Sequence, residues 1–203
     1  LNDMSIAWKV AERAHEEGAT FTLTNAPIAM RMGAMNDLAE KTNSQIIPAD
    51  ATSLEDLKNL FSQSQEILGG KIDFILHSIG MSPNVRKKKD YTDLNYEWYK
   101  KTLDVSAMSL HKVLKVASET DAISEWGSVV ALTYIAAQRI FPDYNDMADA
   151  KSLLESITRS FGYHYGTSKK VRVNTISQSP TVTTAGSGVS GFDKFIDFSE
   201  NMS

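Results

Sequence analysis

Two tyrosine–lysine pairs stand seven positions apart in this 203-residue chain, Tyr144 with Lys151 and Tyr163 with Lys170. A seven-residue step is nearly two helical turns, so on a helix both side chains leave from one face. A phenol beside a fixed ammonium is an acid–base pair, because a nearby cation favours the phenolate. Spacing alone does not choose between the pairs; local sequence does. Gly166 interrupts the second pair, within HYGTSKK, and Lys170 leads directly into VRVNTIS (171–177), so that pair is predicted to straddle a helix end. Lys169 and Lys170 then read as surface charges at a helix–strand turn. No Gly or Pro separates Tyr144 from Lys151, and Pro142 stands just ahead, as at a helix start. The competing reading of this pair is a surface tyrosine with a solvated lysine.

The elements that must position the pair alternate along the chain. Residues 5–17 read as a helix, with Ile6, Val10 and Ala14 on one apolar face, Ser5 or Asp3 as its cap and Gly18 at its end. Residues 19–26 read as a short β-branched strand, 28–41 as a helix and 44–50 as a strand closing in a turn. Residues 53–69 form an amphipathic helix pattern, and 71–80 a strand that runs into Gly80. Residues 93–120 are mostly helical. GSVVALTYIA (127–136) has the continuous apolar character of a parallel strand buried on both faces. Helix 144–161 and strand 171–177 follow. This alternation predicts an α/β fold, a Rossmann-like doubly wound parallel sheet with helices on both faces, as one domain over 1–203. Ligands bind such sheets beyond the carboxyl ends of the strands. The chain opens on a helix where a dinucleotide fold has a first strand and glycine-rich turn, and FSENMS closes no element. The expectation is a piece of a longer domain, lacking its first strand and its C-terminal end.

Composition narrows the function classes. The net charge of −4 argues against nucleic acid as the main partner. With no cysteine there is no disulfide, thiolate nucleophile or cysteine metal site. His77 has no second ligand at metal spacing and reads as structural. No apolar run reaches the roughly 18 residues of a membrane span, and no signal peptide opens the chain, so the default is a cytoplasmic protein.

Four stretches together resemble the short-chain dehydrogenase/reductase superfamily, and within it the divergent enoyl-acyl-carrier-protein reductases of bacterial fatty-acid synthesis. SIAWKVA (5–11) is similar to the helix after the family's glycine loop. HSIG (77–80) stands where ordinary members carry Asn-Asn-Ala-Gly. TYIAAQRIFPDYNDMADAK (133–151) places Tyr134 ten residues before the Tyr-x6-Lys signature. VRVNTISQSPTVTTAGSG (171–188) resembles the strand and mobile loop over cofactor and acyl chain. Ordinary members also hold a serine thirteen residues before the catalytic tyrosine; here that position is Ala131.

The resemblance implies NADH-dependent reduction of a trans-2-enoyl thioester. Tyr144 would donate a hydrogen bond to the enolate oxygen, Lys151 would hold the nicotinamide ribose, and Tyr134 would line the acyl pocket and assist the proton relay. It places Ser5 and Ile6 at the pyrophosphate, Asn25 at the adenosine, and Asp50 and Ala51 beside the adenine. Ser78, Ile79 and Gly80 would let the backbone approach the cofactor, with Pro180, Thr181 and Thr183 on the nicotinamide side. Ser82, Met147, Thr184 and Ala185 would join the two tyrosines in contacting substrate. Residue readings without the resemblance stay open: Ile6 also suits a helix core, Asp50 a turn, Tyr134 a packed aromatic. Thr24 and Asn25, where NAD enzymes often place an acid, and Arg31, further along, leave NADPH as the second choice of cofactor. The implied partners are acyl carrier protein and further copies of the chain in a tetramer. The RKKK run (86–89) would guide the acidic carrier or be a solvated loop. A ketoacyl or alcohol reductase is the alternative enzyme, and a non-catalytic dinucleotide sensor the alternative from another class.

Overall fold

A computed structural model describes residues 3–32, 34–178, 181 and 196. Among them, five strands alternate with helices: β1 (Thr22–Leu23), β2 (Gln45–Ile46), β3 (Ile72–His77), β4 (Ile123–Tyr134) and β5 (Arg172–Gln178). The helices are α1 (Ile6–Glu16), α2 (Ala34–Thr42), α3 (Leu54–Leu68), a single turn α4 (Pro83–Arg86), α5 (Tyr96–Leu103), α6 (Ser109–Glu119) and α7 (Asn145–Lys169). A π-helical turn, Asp104–Met108, joins α5 to α6.

Every strand pair is parallel, as the alternation requires. β4 is central in the order β3-β4-β5, and His77, Ala131 and Thr175 share one rung. The described strands pair as β1-β2 and as β3-β4-β5. Phe74 of β3 lines a groove with residues of α1 instead of lying under a neighbouring strand. The strands predicted at 19–26 and 44–50 are short because only two residues of each pair regularly. Backbone bonds from Ile47 to Leu23 and from Ala49 to Asn25 carry the association past the strand ends.

Local signals account for the helix starts. Ser5 accepts from the Trp8 amide at 3.2 Å, and Ser53 from the Asp56 amide at 3.2 Å, each satisfying a donor that the helix leaves unpaired. α3 ends on Gly69 in the left-handed conformation. α7 departs from expectation. It runs 25 residues to Lys169, through Gly162 and Gly166, so Gly166 is not a stop. Both glycines lie where the helix passes close to the Val173 and Val171 carbonyls, and tertiary packing there outweighs their low propensity. The helix ends at Lys170, whose φ of 58° is left-handed.

Two cores hold the layers. The larger joins Leu57 and Phe61 of α3, Leu110 and Leu114 of α6, Val129 and Ala131 of β4, Leu154 of α7 and Val173 of β5. Alternate residues of β4 enter it, as the two-residue period of a strand dictates. The smaller joins Trp8 and Ala11 of α1, Leu23 of β1 and Leu38 of α2. β1 shows the double winding in two residues. Leu23 packs with α1 and α2, while the Thr22 hydroxyl lies 2.9 Å from that of Ser64 on α3.

Candidate active site

β4 ends at Tyr134, and ten residues later the chain returns at Tyr144 to start α7. The two rings meet with centroids 5.0 Å apart and tilted by 58°. Phe141 also packs on Tyr134, with ring centroids 5.2 Å apart. These are favourable offset or tilted aromatic contacts. Phe141 escaped the sequence reading, since a lone phenylalanine before a proline carries no periodic signal.

Tyr144 does not share α7 with Lys151, which corrects the helical-face argument. It occupies the N-cap position, between Asp143 (φ 67°) and Asn145 (φ 44°). Asp and Asn tolerate this left-handed backbone better than other residues, so the sequence PDYN builds a tight entry that aims the phenol. The electrostatic expectation is also corrected. Burial, and secondarily Tyr134, push the Tyr144 pKa well above the usual phenol value. Lys151 does not draw it down. Tyr144 is therefore a neutral phenol, equipped to donate a hydrogen bond.

Lys151 is buried, and its ammonium donates to the Leu132 carbonyl at 2.6 Å. It thus ties the second turn of α7 to the carboxyl end of β4. Burial lowers its pKa from 10.5 to about 8. His77, on the adjacent strand end, is buried too; its Nε2 lies 2.9 Å from the Ser109 hydroxyl, which donates to the Val105 carbonyl. Because that hydroxyl proton is committed, His77 Nε2 is the donor. Burial, and secondarily the Lys151 charge, lower the His77 pKa to about 3. His77 is structural, as read, and neutral.

The segment after β3 supplies the facing wall. Ser78 and Gly80 are exposed and Ile79 half-buried. A Cβ on Gly80 would stand 2.8 Å from Met147 Cε, so this backbone and the first turn of α7 are in close contact. Ser82 is corrected as a side-chain substrate contact. It is buried, accepts from the Val85 amide at 3.0 Å and donates to Asp146 at 2.6 Å, so its hydroxyl is already engaged.

The other implied cofactor residues gather at strand ends. Asn25 follows β1, and its side-chain oxygen accepts from the Ala26 amide. Asp50 and the half-buried Ala51 follow β2. The Asp50 carboxylate accepts from the Thr52 amide and hydroxyl, both at 2.8 Å, which lowers its pKa and makes it a turn former. Ser5, Ile6 and Thr181 line one groove of about 610 Å³ with Phe74 and the apolar face of α1. Pro180, Thr183, Thr184 and Ala185 lie outside the described residues. In the second tyrosine–lysine pair, Tyr163 is exposed and Lys170 pairs with Glu125 at 2.5 Å and lies over the Trp126 ring, far from chemistry.

The family model described as enoyl-(acyl carrier protein) reductase matches residues 1–203. The chain belongs to the enoyl-acyl-carrier-protein reductase family. An NADH-type enoyl-acyl-carrier-protein reductase from Rhizobium meliloti is 33% identical over 93% of this chain and 69% of its own length. Among solved structures, a FabI–NADH complex from Alistipes finegoldii superposes with a TM-score of 0.97. It is 63% identical, covering all of this chain and 71% of its own. The NADH-type reductase of Aquifex aeolicus gives 0.87 at 30% identity, over 97% of this chain and 76% of its own. The Rossmann-like fold is thus that of this reductase family.

Proposed function

We propose that the chain is an NADH-dependent enoyl-acyl-carrier-protein reductase, acting on the trans-2 double bond of an enoyl thioester in bacterial fatty-acid synthesis. The observation that carries this reading is a neutral Tyr144 phenol stacked on Tyr134 at the carboxyl end of β4, with the Lys151 ammonium anchored behind it. Ser5 and Ile6 at the N-terminus of α1 and the strand ends at Asn25, Asp50 and Gly80 are the positions offered to an extended dinucleotide. Helix-terminal N–H groups at Ile6 suit its pyrophosphate, and Gly80 is exposed on the segment after β3.

NADH held here would supply a hydride to C3 of the enoyl thioester, and a proton from solvent at C2 would complete the reduction. Negative charge then develops on the thioester oxygen, and Tyr144 donates to it. A single such preorganised donor is worth roughly 3–4 kcal/mol of transition-state stabilisation. Lys151 holds the ribose side of the cofactor and adds positive field. Tyr134 shapes the acyl pocket. At Ala131, fully buried, there is no hydroxyl to clamp a ketone or alcohol oxygen. Thr133, the next hydroxyl along β4, donates to Glu155. This favours a conjugated double bond over a carbonyl as the reducible group.

The carrier-borne substrate and a tetrameric assembly are part of the proposal. No helix among the described residues is long and apolar enough to cross a membrane, and a cytoplasmic location belongs to the same proposal. The deciding assay follows nicotinamide oxidation with NADH or NADPH against a trans-2-enoyl and a 3-ketoacyl thioester. Turnover with NADH and the enoyl substrate is expected; turnover only with the ketoacyl substrate would reject the assignment.

A further inference from the structure

Asp146, the second residue of α7, is completely buried, with no cation in hydrogen-bonding contact. One carboxylate oxygen accepts from the Ser82 hydroxyl at 2.6 Å. The other accepts from the Asn84 amide at 2.9 Å and lies 2.8 Å from the Thr102 hydroxyl, whose single proton is shared between this oxygen and the Trp98 carbonyl at 2.9 Å. A buried carboxylate is costly unless its lone pairs are satisfied, and here uncharged donors satisfy it at the positive end of a helix.

Its partners are themselves organisers. Ser82 caps α4. Asn84, also fully buried, holds both the amide and the carbonyl of Asn95, and Asn95 caps α5. The start of α4 and, through Asn84, the start of α5 are therefore fastened to one side chain, two residues after Tyr144 and one before Met147. Ser106 clamps the opposite side of that path, accepting from the Met81 amide at 2.9 Å and donating to its carbonyl. The neighbouring Asn145 amide donates to the Lys89 carbonyl at 2.5 Å, so the same turn of α7 also holds the basic run.

We propose that Asp146 is a positioning residue for the reaction. Its carboxylate locks the segment after β3 to the first turn of α7, and so fixes the Tyr144 phenol relative to the Gly80 backbone and the bound substrate. The inference rests on the reductase reading. It predicts that the acceptor geometry, and not merely filled volume, is needed at position 146.

The test compares the wild-type chain with Asp146→Asn, Ser82→Ala and their combination. It reads kcat, KM for NADH and for an enoyl thioester, and amide hydrogen exchange over 79–89 and 143–147. Asp146→Asn preserves shape but turns an N–H donor toward groups that also donate. It should lower kcat by about tenfold to a hundredfold while KM for NADH changes less than about twofold, because misplacement by an ångström at a reacting group costs that much. Exchange should rise in both segments together. Ser82→Ala should give a smaller loss that disappears in the Asp146→Asn background, since coupled partners are not additive. A kcat within about twofold of wild type in Asp146→Asn would overturn the proposal, as would parallel losses in kcat and NADH binding with protection lost throughout the chain. If Asp146→Asn does not fold, Ser82→Ala and Thr102→Val decide, and an unchanged kcat in both rejects it. If the wild type itself reduces no enoyl thioester, the functional reading fails. The lock is then judged on exchange alone, and unchanged protection in Asp146→Asn rejects it.

Discussion

The Lys151 ammonium and the Leu132 carbonyl are joined at 2.6 Å, linking α7 to the carboxyl end of β4. This cation is buried, and its lowered pKa records the cost. A lysine with a folded pKa of about 8 and an ordinary value of 10.5 binds fewer protons folded than unfolded between those limits. Stability therefore rises as pH climbs through that window, by up to about 3 kcal/mol for a shift of this size. Lys151→Met should remove that rise, melt no earlier than wild type at neutral pH, and lose turnover. Thermal melts at neutral pH and near pH 10 check it. A large loss of stability in Lys151→Met at neutral pH would show that the ammonium is held for folding instead.

His77 titrates in the acid direction. Its folded pKa of about 3 lies below the ordinary 6.5, so the unfolded chain takes up the proton first as pH falls. Stability present above pH 6.5 is lost on acidification, by about 2 kcal/mol at pH 5. Urea unfolding of wild type and His77→Leu at pH 7 and 5 should show a fall attributable to this group only in the wild type.

Gly80 and Met147 should behave as a pair. Gly80→Ala places a methyl 2.8 Å from Met147 Cε, a contact that only the flexible end of the methionine can relieve. The substitution is expected to raise KM for NADH severalfold, and Met147→Ala added to it should restore much of the loss, since neighbouring sites couple by about 0.5–3 kcal/mol. Steady-state kinetics of the double-mutant cycle measures it.

Tyr134 is buried and touches two aromatic rings, so removing the ring costs more than removing the hydroxyl. Tyr134→Ala should destabilise the chain by roughly 3–5 kcal/mol through cavity formation, and Tyr134→Phe by much less. Chemical denaturation of both variants compares them.

Much of this was legible from residue order. The strand–helix alternation gave parallel sheets, and β4 stood out by its apolar run. Tyr144 and Lys151 could be singled out by spacing and by the absence of breakers, and Tyr134 by the resemblance to the reductases. What failed was whatever tertiary contacts decide. Gly166 looks like a stop, but α7 passes it because β5 lies alongside. Tyr144 and Lys151 look like one helical face, but two left-handed residues set the phenol at the cap. Asp146 reads as an ordinary acid in a helix first turn, since its partners Ser82 and Asn84 lie 64 and 62 positions away and nothing local marks the pairing. Nothing local marks the engagement of the Ser82 hydroxyl in that network either.

The central claim is that Tyr144 acts as a neutral donor to charge developing on the substrate oxygen. The most direct test is the single-turnover rate of hydride transfer, with NADH and a trans-2-enoyl thioester both saturating, in wild type and Tyr144→Phe. The ring and its stack on Tyr134 survive that substitution, so fold and cofactor binding should hold while the rate falls by about a hundredfold to a thousandfold. A rate within about twofold of wild type, with NADH bound equally well, would contradict the account.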